Sequence, residues 1–428
     1  MEADPLERRV IAKITWRLIP FLCACYLAAY LDRVNVGFAK VQMVADLKFS
    51  NAVYSLGAGI FFVGYFLFEV PSNLILRYVG ARIWIARIMI VWGVISLCMM
   101  FAKNATHFYG LRFLLGAAEA GFFPGIIFYL TSWFPTAYRS RTIAVFMTAA
   151  VGSSVVGSPL SGALLQMGGL LGLRGWQWLF IVEAVPSIVL GIAVWFYLPN
   201  RPQDAQWLGG DELAWLQARL KSERESAATA HKLTLLQALT DPRVLTLCVV
   251  YLALCLGGYG LDFFQPTLVH EAFPAASPLM VGFINAIPQL LALFAMVAYG
   301  RSSDRRGERK FHFAAAIWVA AVGLLLAGVR LPPWLALAAL VIAVCGRWSS
   351  VAPFWGFATT LLSGTAAAGA IALINSVGNL GGFGGNYLMG WLKDLSGDYR
   401  AGLRVLACAM LAGGLIVLGV RTRKPAPV

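Results

Sequence analysis

Gly300-Arg-Ser-Ser-Asp304-Arg305-Arg-Gly307-Glu-Arg309-Lys310 joins two long apolar segments and sets Asp304 among five bases. Gly307 permits a tight turn between two helices. Asp304 can face a helix N-terminus or an arginine and so hold a gate closed. Asp304, Arg305, Gly307 and Arg309 are therefore candidate gating residues. A related stretch, Asn73-Leu-Ile-Leu-Arg77-Tyr-Val-Gly80-Ala-Arg82, occupies the matching place earlier in the chain. Gly80 and Arg82 align with Gly307 and Arg309, while Asn73 and Arg77 replace Gly300 and Asp304. Two copies of one loop imply a chain built of two related halves.

The apolar segments around these loops count the same way. Runs of about 20 residues, enough to cross a bilayer, fall near 15–39, 52–76, 83–102, 106–130, 141–166 and 176–198. A second set falls near 243–269, 278–300, 312–330, 333–361, 367–392 and 402–420. The expected fold is all-α: a polytopic membrane protein of twelve transmembrane helices in two six-helix halves. The expected domains are a bundle at 1–199, a polar linker at 200–242 with a short amphipathic helix from Asp211, and a bundle at 243–428. Composition agrees: 59% of the 428 residues are hydrophobic and 13% are charged, against about 25% charged in soluble domains.

The net charge of +14 does not mark a nucleic-acid binder. With the N-terminus inside, bases such as Arg8, Arg9, Lys13, Arg139, Arg243, Arg301 and Arg305 collect on one side. Fewer, such as Lys40, Lys103 and Arg404, fall on the other. That bias predicts both termini in the cytoplasm, in a bacterial inner membrane. Seven cysteines lie within spans without metal-ligand spacing, and four histidines are scattered, so neither a metal, a cofactor nor an enzyme active site is expected.

Charges deep in the spans mark the site, because ionisable groups are expensive there. Arg112 and Glu119 stand seven residues apart in Tyr109-Gly-Leu-Arg112-Phe-Leu-Leu-Gly-Ala-Ala-Glu119-Ala-Gly-Phe-Phe-Pro124. They share a helix face about 10 Å apart, so each needs a partner from elsewhere. Span 1 carries Tyr30-Leu-Asp32-Arg33-Val-Asn35, with Asp32 at the depth of Arg112 and expected to pair with it. Arg33 or Arg112 then meets an anionic substrate, and Glu119, deeper and without an adjacent base, carries a proton. Arg33, Arg112 and Arg347 against Asp32 and Glu119 leave a cationic surplus that favours an organic anion. Tyr65 sits mid-span and can donate to a carboxylate. Gly257-Gly-Tyr-Gly-Leu-Asp262-Phe263-Phe264-Gln265-Pro266 predicts a broken, site-lining helix 7. Trp355 on helix 10, and Asn375 and Asn379 on one face of helix 11, complete the candidate lining.

The loop at Gly300 resembles the signature of major facilitator superfamily transporters. Together with Asp32-Arg33, Tyr65, the Arg112–Pro124 run, Trp133-Phe-Pro135, Gly175-Trp-Gln-Trp-Leu-Phe and Asn375-Ser-x-Gly378-Asn379-Leu-Gly381-Gly382, it resembles the anion:cation symporter family, most of all the tartrate and aromatic-acid permeases. The resemblance implies proton roles for Asp32 and Glu119, and substrate contacts at Tyr30, Arg33, Tyr65 and Asn379. The chain departs from the family at Asn73 and Arg77, at Asp262–Gln265, and at Asn386. The expected function is proton-coupled import of a small carboxylate by a monomer, with protons, the anion and the bilayer as partners. A proton-coupled exporter, which would favour an acidic cavity, and a transporter-like sensor are the alternatives.

Overall fold

The computed structural model describes residues 4–228, 240–361 and 366–420; His231, Lys232, Arg421, Arg423 and Lys424 lie outside them. It is helical throughout, with no strand among the described residues. The first half contains α1 (Pro5–Asp46), α2 (Asn51–Val79), α3 (Ala81–Cys98), α4 (Ala105–Glu119), α5 (Phe122–Thr131), α6 (Thr136–Leu165) and α7 (Gly175–Tyr197). The linker helix α8 (Gly210–Ala228) follows. The second half contains α9 (Pro242–Ala272), α10 (Pro278–Arg306), α11 (Lys310–Ala327), α12 (Pro333–Leu361), α13 (Ala366–Ser396) and α14 (Arg400–Gly419).

Counting α4 and α5 as one crossing, 11 of these helical segments among the described residues are long and apolar enough to span a bilayer. The twelfth expected span is α13, whose 31 residues suffice in length. Local chemistry starts the helices where the apolar runs begin. Asp4, Ser50, Asn104, Asp241 and Ser277 cap α1, α2, α4, α9 and α10 by accepting backbone N–H bonds. Proline follows the cap at Pro5, Pro242 and Pro278, where its missing N–H is harmless.

Two expectations are corrected. The span read at 106–130 is two helices, because Gly121 adopts φ 87° between α4 and α5. Helix 7, expected to break, is the continuous α9 with Pro266 inside it. Its glycines serve contact instead: a Cβ on Gly258 would lie 2.6 Å from Arg347 Nε.

Small residues let the halves meet. A Cβ on Gly162 of α6 would lie 2.4 Å from the Pro278 carbonyl oxygen, and one on Gly282 of α10 2.4 Å from that of Ser158. On the opposite seam, Gly390 of α13 packs against Asn51 and Ser55 of α2. Polar contacts seal this end, remote from the linker. Asp394 Oδ2 accepts from Ala52 N at 2.7 Å and its Oδ1 from Asn51 Nδ2 at 2.9 Å. Lys40 Nζ donates to Tyr399 Oη at 2.6 Å, and Tyr399 to Asn51 Oδ1 at 3.0 Å. At the other end α8 clasps α1, with Glu212 accepting from Lys13 at 2.7 Å and pairing with Arg9 at 3.3 Å. The Lys13 ammonium, helped by the Gly209 N–H, holds the Glu212 carboxyl below its ordinary range.

Candidate substrate and proton site

The site is assembled by close approach of α4 to α2. A Cβ on Gly116 would stand 1.9 Å from the Phe61 carbonyl oxygen, and one on Gly64 2.4 Å from that of Phe113. Only glycine at both places brings Arg112 and Glu119 alongside Phe61 and Tyr65. Glu119 is the last residue of α4, at the negative end of the helix, and is 2% exposed. A carboxylate so placed needs a counter-ion or a proton.

It has a counter-ion. Arg33 Nε donates to Glu119 Oε1 at 2.7 Å, and an Nη group reaches the same oxygen. The Arg33 guanidinium lies 5.3 Å from the Tyr30 ring centroid, 5.7 Å from Phe61 and 5.4 Å from Tyr65. Arg33 is thus caged by aromatic faces that attract a cation while one side opens to a cavity.

The structure does not bring Asp32 and Arg112 together as expected. Adjacent residues on α1 diverge by about 100°, so as Arg33 faces the cavity, Asp32 turns toward α3 and α7. There it accepts from Trp92 Nε1 at 2.8 Å, Ser96 Oγ at 2.7 Å, Ser187 Oγ at 2.9 Å and Asn35 Nδ2 at 3.3 Å. Arg112, buried, gives one hydrogen bond to the Ala58 carbonyl at 3.1 Å and lies 4.8 Å from the Phe61 ring centroid. Its Nε and Nη1 have no protein partner.

The second half mirrors this arrangement. Arg347 Nη2 pairs with Asp262 at 2.9 Å and stacks 3.8 Å from the Trp348 ring centroid. Tyr30, Arg33, Phe61, Phe62 and Arg112 from the first half face Tyr259, Asp262, Phe263 and Asn386 from the second around one cavity. Tyr259 Oη reaches Asn379 Oδ1 at 3.4 Å.

Three expected lining residues are placed elsewhere. Gln265, fully buried, donates to the Asn285 carbonyl at 3.0 Å and accepts from Gln289 at 3.0 Å. Trp355 packs on Tyr251, ring centroids 5.0 Å apart. Asn375 donates to Glu69 Oε1 at 3.0 Å and Ser376 to Oε2 at 2.9 Å, which ties α13 to α2 instead of reaching the cavity. In the α10–α11 loop, Gly307 has φ 62°, and Asp304 pairs with Arg309 at 3.6 Å. Arg309 also donates to the Gly356 carbonyl of α12 at 3.0 Å, and Arg305 is exposed. Glu308, held below the ordinary range because the Phe311 and His312 N–H groups and the His312 ring outweigh partial burial, caps α11.

Besides Asp32 and Glu119, further acids are withdrawn from water among the helices. Glu69, Glu183 and Asp262 are buried or half-buried acids at depth, and Tyr259 and Asn386 line the cavity. Glu183 carried a legible signal, as the one acid in the apolar run 176–198. Tyr259 falls in the stretch expected to line the site, whereas nothing local marked Asn386 as facing the first half.

A twelve-span helical architecture in two halves, with a cavity between them lined by residues of both, is that of a membrane transporter, not an enzyme. The chain belongs to the major facilitator superfamily, whose family model matches residues 22–386. It is 49% identical over 425 residues to a protein of Agrobacterium vitis named for tartrate transport, across 99% of this chain and 97% of that one. It is 41% identical to a protein of Acinetobacter baumannii named as a quinolone resistance transporter, across 95% of this chain and 94% of that one. Its fold is similar to the xylose transporter XylE of Escherichia coli, with a TM-score of 0.76 at 12% identity, covering 96% of this chain and all of that one.

Proposed function

We propose that the protein is a proton-coupled symporter that imports a small organic anion, a carboxylate such as tartrate, a sugar acid or an aromatic acid, by alternating access. The observation that carries this reading is the direct Arg33–Glu119 pair in the wall of the cavity. An anion entering the cavity competes with Glu119 for Arg33. Protonating Glu119 removes its charge and releases the guanidinium, so proton and anion favour each other's binding, and the coupling is reciprocal. Arg112, buried with two N–H groups lacking a protein partner, supplies a second cationic contact. In this reading Tyr30, which lines the cavity, Tyr65 beside Arg33 and Asn379 bonded to Tyr259 orient the anion. Asp262, already held by Arg347, leaves that arginine partly engaged, so a second carboxylate on the substrate would compete with it there.

The bias of bases toward the linker end supports cytoplasmic termini in a bacterial inner membrane, with the protein acting as a monomer. The end sealed by Asp394, Asn51, Tyr399 and Lys40 then faces outward, and Asp304, Arg305, Gly307 and Arg309 belong to the inner gate. The relative named for tartrate supports the carboxylate class. The relative named for quinolone resistance supports a second reading, proton-coupled export. Proteoliposomes separate the two: uptake of labelled tartrate, galactarate or benzoate under an inward proton gradient is expected, and accumulation of none of them would reject import of this class. Proton-driven loss of a preloaded quinolone, without carboxylate uptake, would favour export.

A further inference from the structure

We propose that Glu183 is a neutral carboxylic acid holding a proton inside the first half, beside an ionised Asp32, and that this pair is a second proton site distinct from the Arg33–Glu119 pair. Glu183, Asn35 and Asp32 are 0%, 0% and 2% exposed. Asp32 accepts four hydrogen bonds from side chains of α1, α3 and α7, the donor set of a carboxylate anion. Glu183 receives one, from Ser161 Oγ to Oε1 at 2.6 Å. Its Oε2 is buried with no partner, and so is Asn35 Oδ1, on the side chain that lies between the two acids.

A buried carboxylate oxygen without a partner is expensive, and a proton on the Glu183 carboxyl removes the charge that burial penalises. Among the described residues no base forms an ion pair with Glu183 or Asp32. The groups facing Glu183 are Ser161 from α6 and Asp32 with Asn35 from α1; Trp92 and Ser96 of α3 are spent on Asp32. Glu119 and Arg112 are the next charges in electrostatic reach of Asp32. Two acids in one apolar pocket without a base retain at least one proton between them. Ser187, one turn beyond Glu183, bonds Asp32, so a movement of α7 against α1 alters both acids together. The pair can then exchange its proton when α7 shifts against α1 within the first half, a role that rests on the symport reading above.

Infrared difference spectroscopy on the purified full-length protein tests the protonation directly. A protonated carboxyl band is expected at neutral pH, lost in Glu183→Gln, retained in Asp32→Asn and moved in frequency by Ser161→Ala. A spectrum unchanged in Glu183→Gln and in Ser161→Ala overturns the assignment. For the coupling role, Glu183→Gln is expected to lower proton-driven accumulation about 10-fold or more while leaving counterflow exchange within about 2-fold, the pattern of a lost proton-coupled step. Unchanged accumulation overturns that role. Wild-type protein that accumulates no carboxylate would reject symport, and the band would still decide whether Glu183 holds a proton.

Discussion

Arg33 of α1 donates to Glu119 of α4 at 2.7 Å across the wall of the central cavity. Glu119 is buried and Arg33 half-buried at the cavity, so each charge is the other's direct counter-ion. Any event that neutralises one releases the other, which makes this contact the natural place for proton and anion to compete.

Glu119→Gln imitates the protonated state. Proton-driven accumulation in proteoliposomes is expected to be lost, while counterflow exchange persists because Arg33 stays free for the anion. Loss of both activities in folded protein would remove Glu119 from proton coupling.

Arg33→Ala and Arg112→Ala are expected to raise KM for the anion. A hydrogen-bonded charge contact contributes about 1.5–3 kcal/mol, or about 10- to 100-fold in affinity. Expression should change far less. Unchanged KM in Arg33→Ala would make its role structural, and unchanged KM in Arg112→Ala would leave its unpartnered N–H groups without a ligand.

Asp394 accepts the Asn51 and Ala52 N–H groups at the start of α2. Asp394→Asn keeps part of the hydrogen bonding and removes the charge that complements the helix end, about 0.3–1 kcal/mol. The sealed end should open more often, read as faster labelling of a cysteine introduced at Ala52, and unaltered labelling would show that the seam is held elsewhere.

Gly116→Ala places a methyl group against the Phe61 carbonyl, where a rigid backbone leaves no room. Overpacking of this kind costs about 1–3 kcal/mol, so the melting temperature in detergent should fall and transport with it. An unshifted melting temperature would mean that α4 slides along α2 freely.

Glu212 is held below the ordinary carboxylate range by Lys13. Its contribution to docking α8 is therefore complete above the unfolded value of about 4.3. It disappears as the pH falls through the lower folded value. Thermal unfolding followed from neutral to acid pH should show a fall that Glu212→Gln flattens.

The architecture was legible from period and length alone. A bilayer leaves backbone groups no partner but their own helix, so twenty-residue apolar runs such as 52–76 and 278–300 have one outcome. The turn at Gly307 and the acids and bases at depth were legible for the same reason, because each is anomalous in an apolar run. Partners were not. Asp32 and Arg33 are neighbours in the chain, yet helical geometry sends one to Trp92, Ser96 and Ser187 and the other to Glu119. Which side faced the cavity depended on how α1 is rotated between α6, α7 and α9, a property of the packed bundle. Likewise Gln265 and Asn375 carry the same amides that a substrate site would use, and only the contacts from Gln289 and Glu69 show them engaged between helices. Residue type fixed what each group could bond, and the close approach of glycine-bearing helices fixed which partner it met.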